Sequence, residues 1–148
     1  MPQQQGQQAN QNGTASERDI IQRLLSLGYT HKRRQDLAPT VPYFVTQYQG
    51  YPGLYETPVN LDFFVYHPDK HPEGFVIESK NQNTSGSVDE KLPYTVGTLK
   101  QLPVPSLLII TGNGWKKAAI PWCRRQATAT FHVMNWDEFT AACNRGLI

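Results

Sequence analysis

Ile20, Ile21, Leu24, Leu25 and Leu27 recur at helical spacing, which predicts a helix beginning near Thr14–Ser16 and stopping at Gly28. A basic knot, His31-Lys32-Arg33-Arg34, and a loop containing Pro39 follow. Three runs rich in aromatic and β-branched residues then read as strands: Val41–Gln49, Asn60–Tyr66 and Gly74–Lys80. The Gly, Pro and Asn between them read as turns. Val88, Leu92, Val96, Leu99 and Leu102 keep a helical stripe, weakened by Pro93 and Gly97. Ser106–Thr111 is continuously apolar, the pattern of a central strand buried on both faces. Trp115, Ala118, Ala119 and Trp122 suggest a short helix interrupted at Pro121. Thr130–Met134 reads as a last strand. Asn135 and Glu138 spell a capping box for a final helix that buries Phe139, Ala142 and Cys143. The order α-β-β-β-α-β-α-β-α predicts a mixed α/β domain with helices covering a sheet.

Composition narrows the picture. At 148 residues the chain fits one compact domain, and 39% hydrophobic residues suffice for an ordinary core. Residues 1–13 hold six Gln, two Asn and no aromatic or β-branched residue, so they read as a disordered tail ahead of one domain over 14–148. No run of 18 apolar residues exists, so no membrane span or membrane partner is expected. The two cysteines, Cys123 and Cys143, form no CxxC motif and read as free thiols in a reducing, cytoplasmic compartment. A net charge of +2 does not by itself indicate a polyanion partner.

Candidate chemistry lies on the second and third strands. Glu78 and Lys80 share a face of the third, with Ser79 pointing away. Alone they suggest an exposed charge pair. Asp62 sits inside the aromatic run Leu61-Asp62-Phe63-Phe64. If the two strands form a hairpin with Val65 opposite Phe75, Asp62 falls opposite Glu78. Opposed residues have Cβ atoms about 5 Å apart, and like charges there are destabilising. Two carboxylates so placed want a cation, and carboxylates with waters and substrate phosphate are how Mg²⁺ is usually held. Asp69, in His67-Pro68-Asp69-Lys70-His71, lies at the hairpin tip, about 23 Å from Glu78 at about 3.3 Å per residue. It is too distant to share a metal. His67 and His71 lack the second ligand pair that zinc needs. On the first helix Glu17 falls in the middle of the apolar face and should have a partner. Equally, Thr14-x-x-Glu17 spells a capping box.

An acid on the first helix, Asp on a second strand and Glu-x-Lys on the next resemble the PD-(D/E)XK nuclease superfamily. The resemblance runs from about Thr14 to Thr111, with one departure: Leu61-Asp62 stands where the superfamily has Pro-Asp. It implies a restriction-endonuclease-like αβββαβ core, a mixed central sheet flanked by helices. It further implies that Asp62 and Glu78, with the Ser79 carbonyl, bind Mg²⁺, with Mn²⁺ able to substitute. Lys80 would polarise the attacking water or the scissile phosphate, and Glu17 would help hold the metal or its waters. Gln82 and Lys91 become candidates for contacting phosphate or positioning water. Residues Gly13–Tyr29 look like the opening of Holliday-junction resolvases, whereas Glu78–Tyr94 look more like restriction or homing enzymes.

Charge distribution fits a DNA partner better than net charge does. From Lys91 to Trp136 the chain carries Lys91, Lys100, Lys116, Lys117, Arg124 and Arg125, and no acid. On a wheel from Trp115, Lys116, Lys117 and Arg124 fall away from the tryptophans as a candidate phosphate-contacting face. Lys32, Arg33 and Arg34 form a second cluster. Trp115, Trp122, Tyr43, Tyr48 and Tyr66 read as packing. The expected function is a metal-dependent DNA endonuclease, with a homodimer or higher homo-oligomer needed to cut both strands. The alternatives are a junction resolvase, a non-catalytic DNA-binding module that keeps the fold, and a charged hairpin in an unrelated α/β protein.

Overall fold

The structure, a computed structural model, describes residues 16–148. The Gln-rich tail expected over 1–13, and Thr14, lie outside the described residues. The elements are α1 (Glu17–Ser26), β1 (Thr30–His31), β2 (Tyr43–Tyr48), β3 (Leu61–His67), β4 (His71–Asn81), a 3-10 turn (Val88–Lys91), α2 (Leu92–Lys100), β5 (Ser106–Thr111), α3 (Ala119–Arg125), β6 (Phe131–Met134) and α4 (Trp136–Asn144).

The six strands lie side by side in sequence order. β2, β3 and β4 form an antiparallel meander. β1 runs parallel to β2, and β4, β5 and β6 run parallel to one another. The β4–β5 and β5–β6 pairs need crossovers, which α2 and α3 supply, while a loop over 32–42 joins β1 to β2. Helices cover both faces. On one, Ile20 and Leu24 of α1 and Trp136, Phe139 and Ala142 of α4 pack on Phe63, Val65, Ile77 and Ile109. On the other, Leu92, Val96 and Leu99 of α2 and Cys123 of α3 pack on Phe64, Val76, Leu108 and Ile110. Every residue of β5 is buried, as its unbroken apolar run predicts. Burying each such large apolar side chain contributes about 1.5–3 kcal/mol.

Several local expectations hold. The α4 capping box forms, with Glu138 N–H donating to Asn135 Oδ1 at 2.8 Å and Asn135 N–H to Glu138 Oε1 at 3.1 Å. Both cysteines are free and buried. Others need correction. The basic knot begins with a short parallel edge strand, β1, that its charge conceals. The cap of α1 is Ser16 with Asp19, because Glu17 is already the first helical residue. Leu25 lies on the outer face of α1 and stays 48% exposed. Pro121 does not interrupt α3. It sits in the first turn, where its missing N–H would have no helical partner. Lys116 and Lys117 therefore precede the helix, and the wheel drawn from Trp115 does not describe them.

Candidate active site

The β3–β4 hairpin adopts the register expected from its pattern: Phe63 opposite Ile77, Phe64 opposite Val76 and Val65 opposite Phe75. The paired register stops at Phe63 and Ile77, one residue short of the two acids. There the carboxylates replace the ladder. Ser79 N–H donates to Asp62 Oδ2 at 2.8 Å, with Ser79 Oγ on the same oxygen at 3.3 Å. In return Asp62 N–H donates to Glu78 Oε2 at 3.1 Å. Each acid thus accepts a main-chain N–H from the other strand, and the strands part around them. Lys80 Nζ lies 3.6 Å from Glu78 Oε1.

This geometry sets the electrostatics. Glu78 is 7% exposed, inside a cluster that contains a second acid. Burial first, and then the Asp62 charge, push its carboxyl up to about 8; the Asp62 N–H and Lys80 oppose the shift. A cation between the acids would favour both carboxylates and so oppose this shift. Two hard oxygen donors side by side fit a small divalent ion that completes its shell with water and phosphate. Among the described residues no group of three or more His, Cys, Asp and Glu stands together as a ready-made cage.

Glu17 is hydrogen-bonded to a residue of β2. Gln47 Nε2 donates to Glu17 Oε1 at 3.0 Å. Thr46 pairs with Phe63 and Tyr48 with Leu61, so Gln47 falls level with Asp62. Gln47 has φ +52°, a left-handed conformation that costs a non-glycine residue of order 1–3 kcal/mol. The kink lets Val45 and Tyr48, three apart, face the same core. Nothing in the residue type marks Gln47, although apolar Tyr48 falling out of step with Tyr43 and Val45 marks a kink in the strand.

A family model of a PD-(D/E)XK nuclease superfamily domain matches residues 8–147. The chain belongs to this superfamily. Comparison with curated proteins and with solved structures finds no match. The mixed six-stranded sheet with helices on both faces is consistent with the restriction-endonuclease-like fold. Among the described residues of this nuclease domain no helix is long and apolar enough to cross a membrane.

The remaining candidates of the nuclease domain sort by their partners. Gln82 is buried and fully engaged: its amide donates to Asp89 Oδ2 and the Gly114 carbonyl, and its oxygen accepts from Val88 N–H. It knits the loop after β4 and has no hydrogen-bonding atom left for phosphate, contrary to expectation. Lys32 is held at 2.7 Å from Asp36 and lies over the Tyr43 ring. Arg124 is clamped on Glu138 through both terminal nitrogens, at 2.6 and 3.2 Å. Arg33, Arg34, Lys91, Lys116 and Lys117 are exposed. β1 and β2 run parallel, so Arg33 and Arg34 leave β1 toward the end of the sheet where Gln47 lies. Lys116 and Lys117 follow the end of β5, whose Ile110 pairs with Lys80. Lys91 lines a cleft of about 450 Å³ together with Glu78 and Lys80. Asp89, which the sequence reading passed over, also accepts from Lys116 N–H at 2.9 Å, and that bond, then Gln82, holds its carboxyl below the usual range. It ties the β4 and β5 loops together.

Proposed function

We propose that this nuclease is a metal-dependent DNA endonuclease whose centre is Asp62, Glu78 and Lys80. One observation carries the reading: Asp62 and Glu78 lie side by side, each accepting a main-chain N–H from the other strand, with Lys80 paired to Glu78. A solvated hairpin has no use for such a clip, because ordinary ladder bonds would close it.

The residues divide the work. Asp62 and Glu78 are the metal ligands. Strand geometry turns the Ser79 carbonyl to the same edge as the N–H that Asp62 accepts, which makes it the third. A bound Mg²⁺ or Mn²⁺ supplies Lewis acidity and neutralises charge at the scissile phosphate. Lys80 holds a water or a phosphate oxygen through its ammonium, while the Asp62–Ser79 bond fixes the acid's direction. Gln47 orients Glu17 beside this group, where it can order water. Arg33, Arg34, Lys91, Lys116 and Lys117 contact the DNA backbone. Cutting both strands requires at least two copies, since one chain supplies one such centre.

The test is supercoiled plasmid incubated with Mg²⁺ or Mn²⁺, beside Lys80→Ala and an EDTA control. Metal-dependent nicking that Lys80→Ala loses is the expected result. Absence of cutting and of binding, on plasmid and on a four-way junction alike, would overturn the reading. Cutting confined to the junction would identify a resolvase.

A further inference from the structure

We propose that Tyr55 and Tyr94 form a stacking platform beside the active-site cleft for an unpaired base of the strand being cut, an inference that rests on the nuclease reading above. Tyr94 lines the cleft that holds Glu78 and Lys80, one helical turn from Lys91. Its ring lies 5.9 Å from that of Tyr55, tilted by 39°. The two rings are in contact, so the binding face is the open side of Tyr55. That residue is 78% exposed, and Tyr94 is 38% exposed.

Folding gives no reason for Tyr55 to stand out. Its loop is firmly tied: Gly53 N–H donates to the Thr57 carbonyl at 2.8 Å, Pro52 bridges Pro58, and Gln101 Nε2 donates to the Pro52 carbonyl at 3.1 Å. The loop also touches α2 closely. A Cβ on Gly97 would stand 2.7 Å from Leu54 Cδ1, and one on Gly53 would stand 2.9 Å from Tyr94 Oη. Glu56, next to Tyr55, has φ +60°, a conformation disfavoured for a non-glycine residue. A tied loop with a left-handed residue beside its tip thus presents a large aromatic ring to solvent, next to a site for phosphodiesters.

Charge and shape select the occupant. Lys80 and Lys91 line the cleft against Glu78 and Glu90, so once a divalent ion offsets Glu78 the cleft attracts a nucleic-acid backbone. Bases within a duplex are covered by their stacked neighbours. Only an unpaired or unstacked base offers its face to a tyrosine. The preferred substrate is therefore DNA with single-stranded character at or next to the cut.

The experiment compares wild type, Tyr55→Ala and Tyr55→Trp. A fluorescent adenine analogue is placed in a short single strand and in the matching duplex, and binding is followed with Ca²⁺ in place of Mg²⁺, so that a divalent ion still offsets Glu78. The expected result is a single-strand affinity lowered about tenfold in Tyr55→Ala, as loss of one base–aromatic stack implies, and recovered in Tyr55→Trp. Duplex affinity should change little. Equal effects on both ligands, or none on either, would overturn the platform. So would a concentration-dependent mass that Tyr55→Ala abolishes, since the patch would then join two copies. Plasmid cutting by wild type and Lys80→Ala runs alongside. If wild type cuts and Lys80→Ala does not, while Tyr55→Ala binds single strands normally, the platform fails and the nuclease stands. If wild type neither cuts nor binds, both readings fail.

Discussion

The two ends of the β3–β4 hairpin each hold a pair of titratable groups, and burial perturbs both. At the turn, His67 lies opposite His71. His67 Nδ1 accepts from the Asp69 and Lys70 N–H groups at 3.1 Å each, so its imidazole shapes the turn. His71 packs on Phe75 with ring centroids 4.1 Å apart, and burial, then His67, pushes its pKa down to about 4. At the other end Glu78 is pushed up to about 8. Both shifts favour the neutral form, so a perturbed pKa alone does not distinguish a working site from a packed turn. Convergence does. Buried His71 meets an aromatic ring, which suits neutral imidazole, whereas the acids meet each other and a lysine. One end is a structural turn; the other is proposed to await a cation.

The sharpest way to break this contrast is activity. Asp62→Asn or Lys80→Ala should lower plasmid cutting by about 100-fold or more, the cost of removing a group that stabilises developing charge. His71→Phe should cut at the wild-type rate. Comparable losses at both ends, measured as initial rates at saturating Mg²⁺, would mean that the hairpin acts through its fold and that the acid pair has no special role.

The two ends should also respond oppositely to pH in EDTA. Glu78 binds its proton more tightly folded than unfolded, from 4.5 to about 8, so its contribution is intact below pH 4.5 and is lost as pH rises through 8. His71 binds its proton less tightly folded, from 6.5 to about 4, so its contribution is intact above pH 6.5 and is lost as pH falls through 4. The slopes oppose one another between pH 4.5 and 6.5, leaving Glu78 alone to act above that window. Glu78→Gln should raise the melting temperature at pH 8 and flatten the alkaline decline while leaving the acid side unchanged. An alkaline decline that persists in Glu78→Gln would place the cost elsewhere.

How far the sequence shows this contrast differs between its parts. The register was legible because Phe63, Phe64, Val65, Phe75, Val76 and Ile77 leave one way to close the hairpin. The run of β5 and the cap of α4 were legible for the same local reason: pattern and chemistry agree within a few residues. Glu17 was half legible. Its place on the inward face was readable, but its partner Gln47 depends on a kink that three-dimensional packing imposes. The basic residues were least legible. Arg124 meets Glu138 fourteen positions away, and Gln82 is consumed by the Asp89 and Gly114 segments, pairings that only the folded chain creates. Tyr55 and Tyr94 escaped because aromatics near strands ordinarily pack.

A smaller effect tests whether the acid pair is a cation site. Mg²⁺ or Mn²⁺ at about a hundredfold excess over its dissociation constant should stabilise the fold by about 2.7 kcal/mol. The gain should appear as a rise in melting temperature near pH 8 and vanish in Asp62→Asn and Glu78→Gln. Equal stabilisation of wild type and both variants would move the metal away from the acids.

The smallest effect belongs to the turn. His71 Nε2 is buried without a hydrogen-bond partner among the described residues, so the imidazole already bears the cost of an unsatisfied polar atom. His71→Phe removes that atom and keeps a ring against Phe75, although it gives up the backbone hydrogen bond with Leu147. The two changes offset, and stability at pH 7.5 should move by no more than about 1 kcal/mol in either direction. Below pH 6.5 the variant should outlast wild type, because no buried imidazole resists protonation as the pH falls toward 4. Denaturant midpoints at the two pH values check this. A large loss at pH 7.5 would show that His71 makes a contact the turn depends on, and the hairpin would then be polar and committed at both ends.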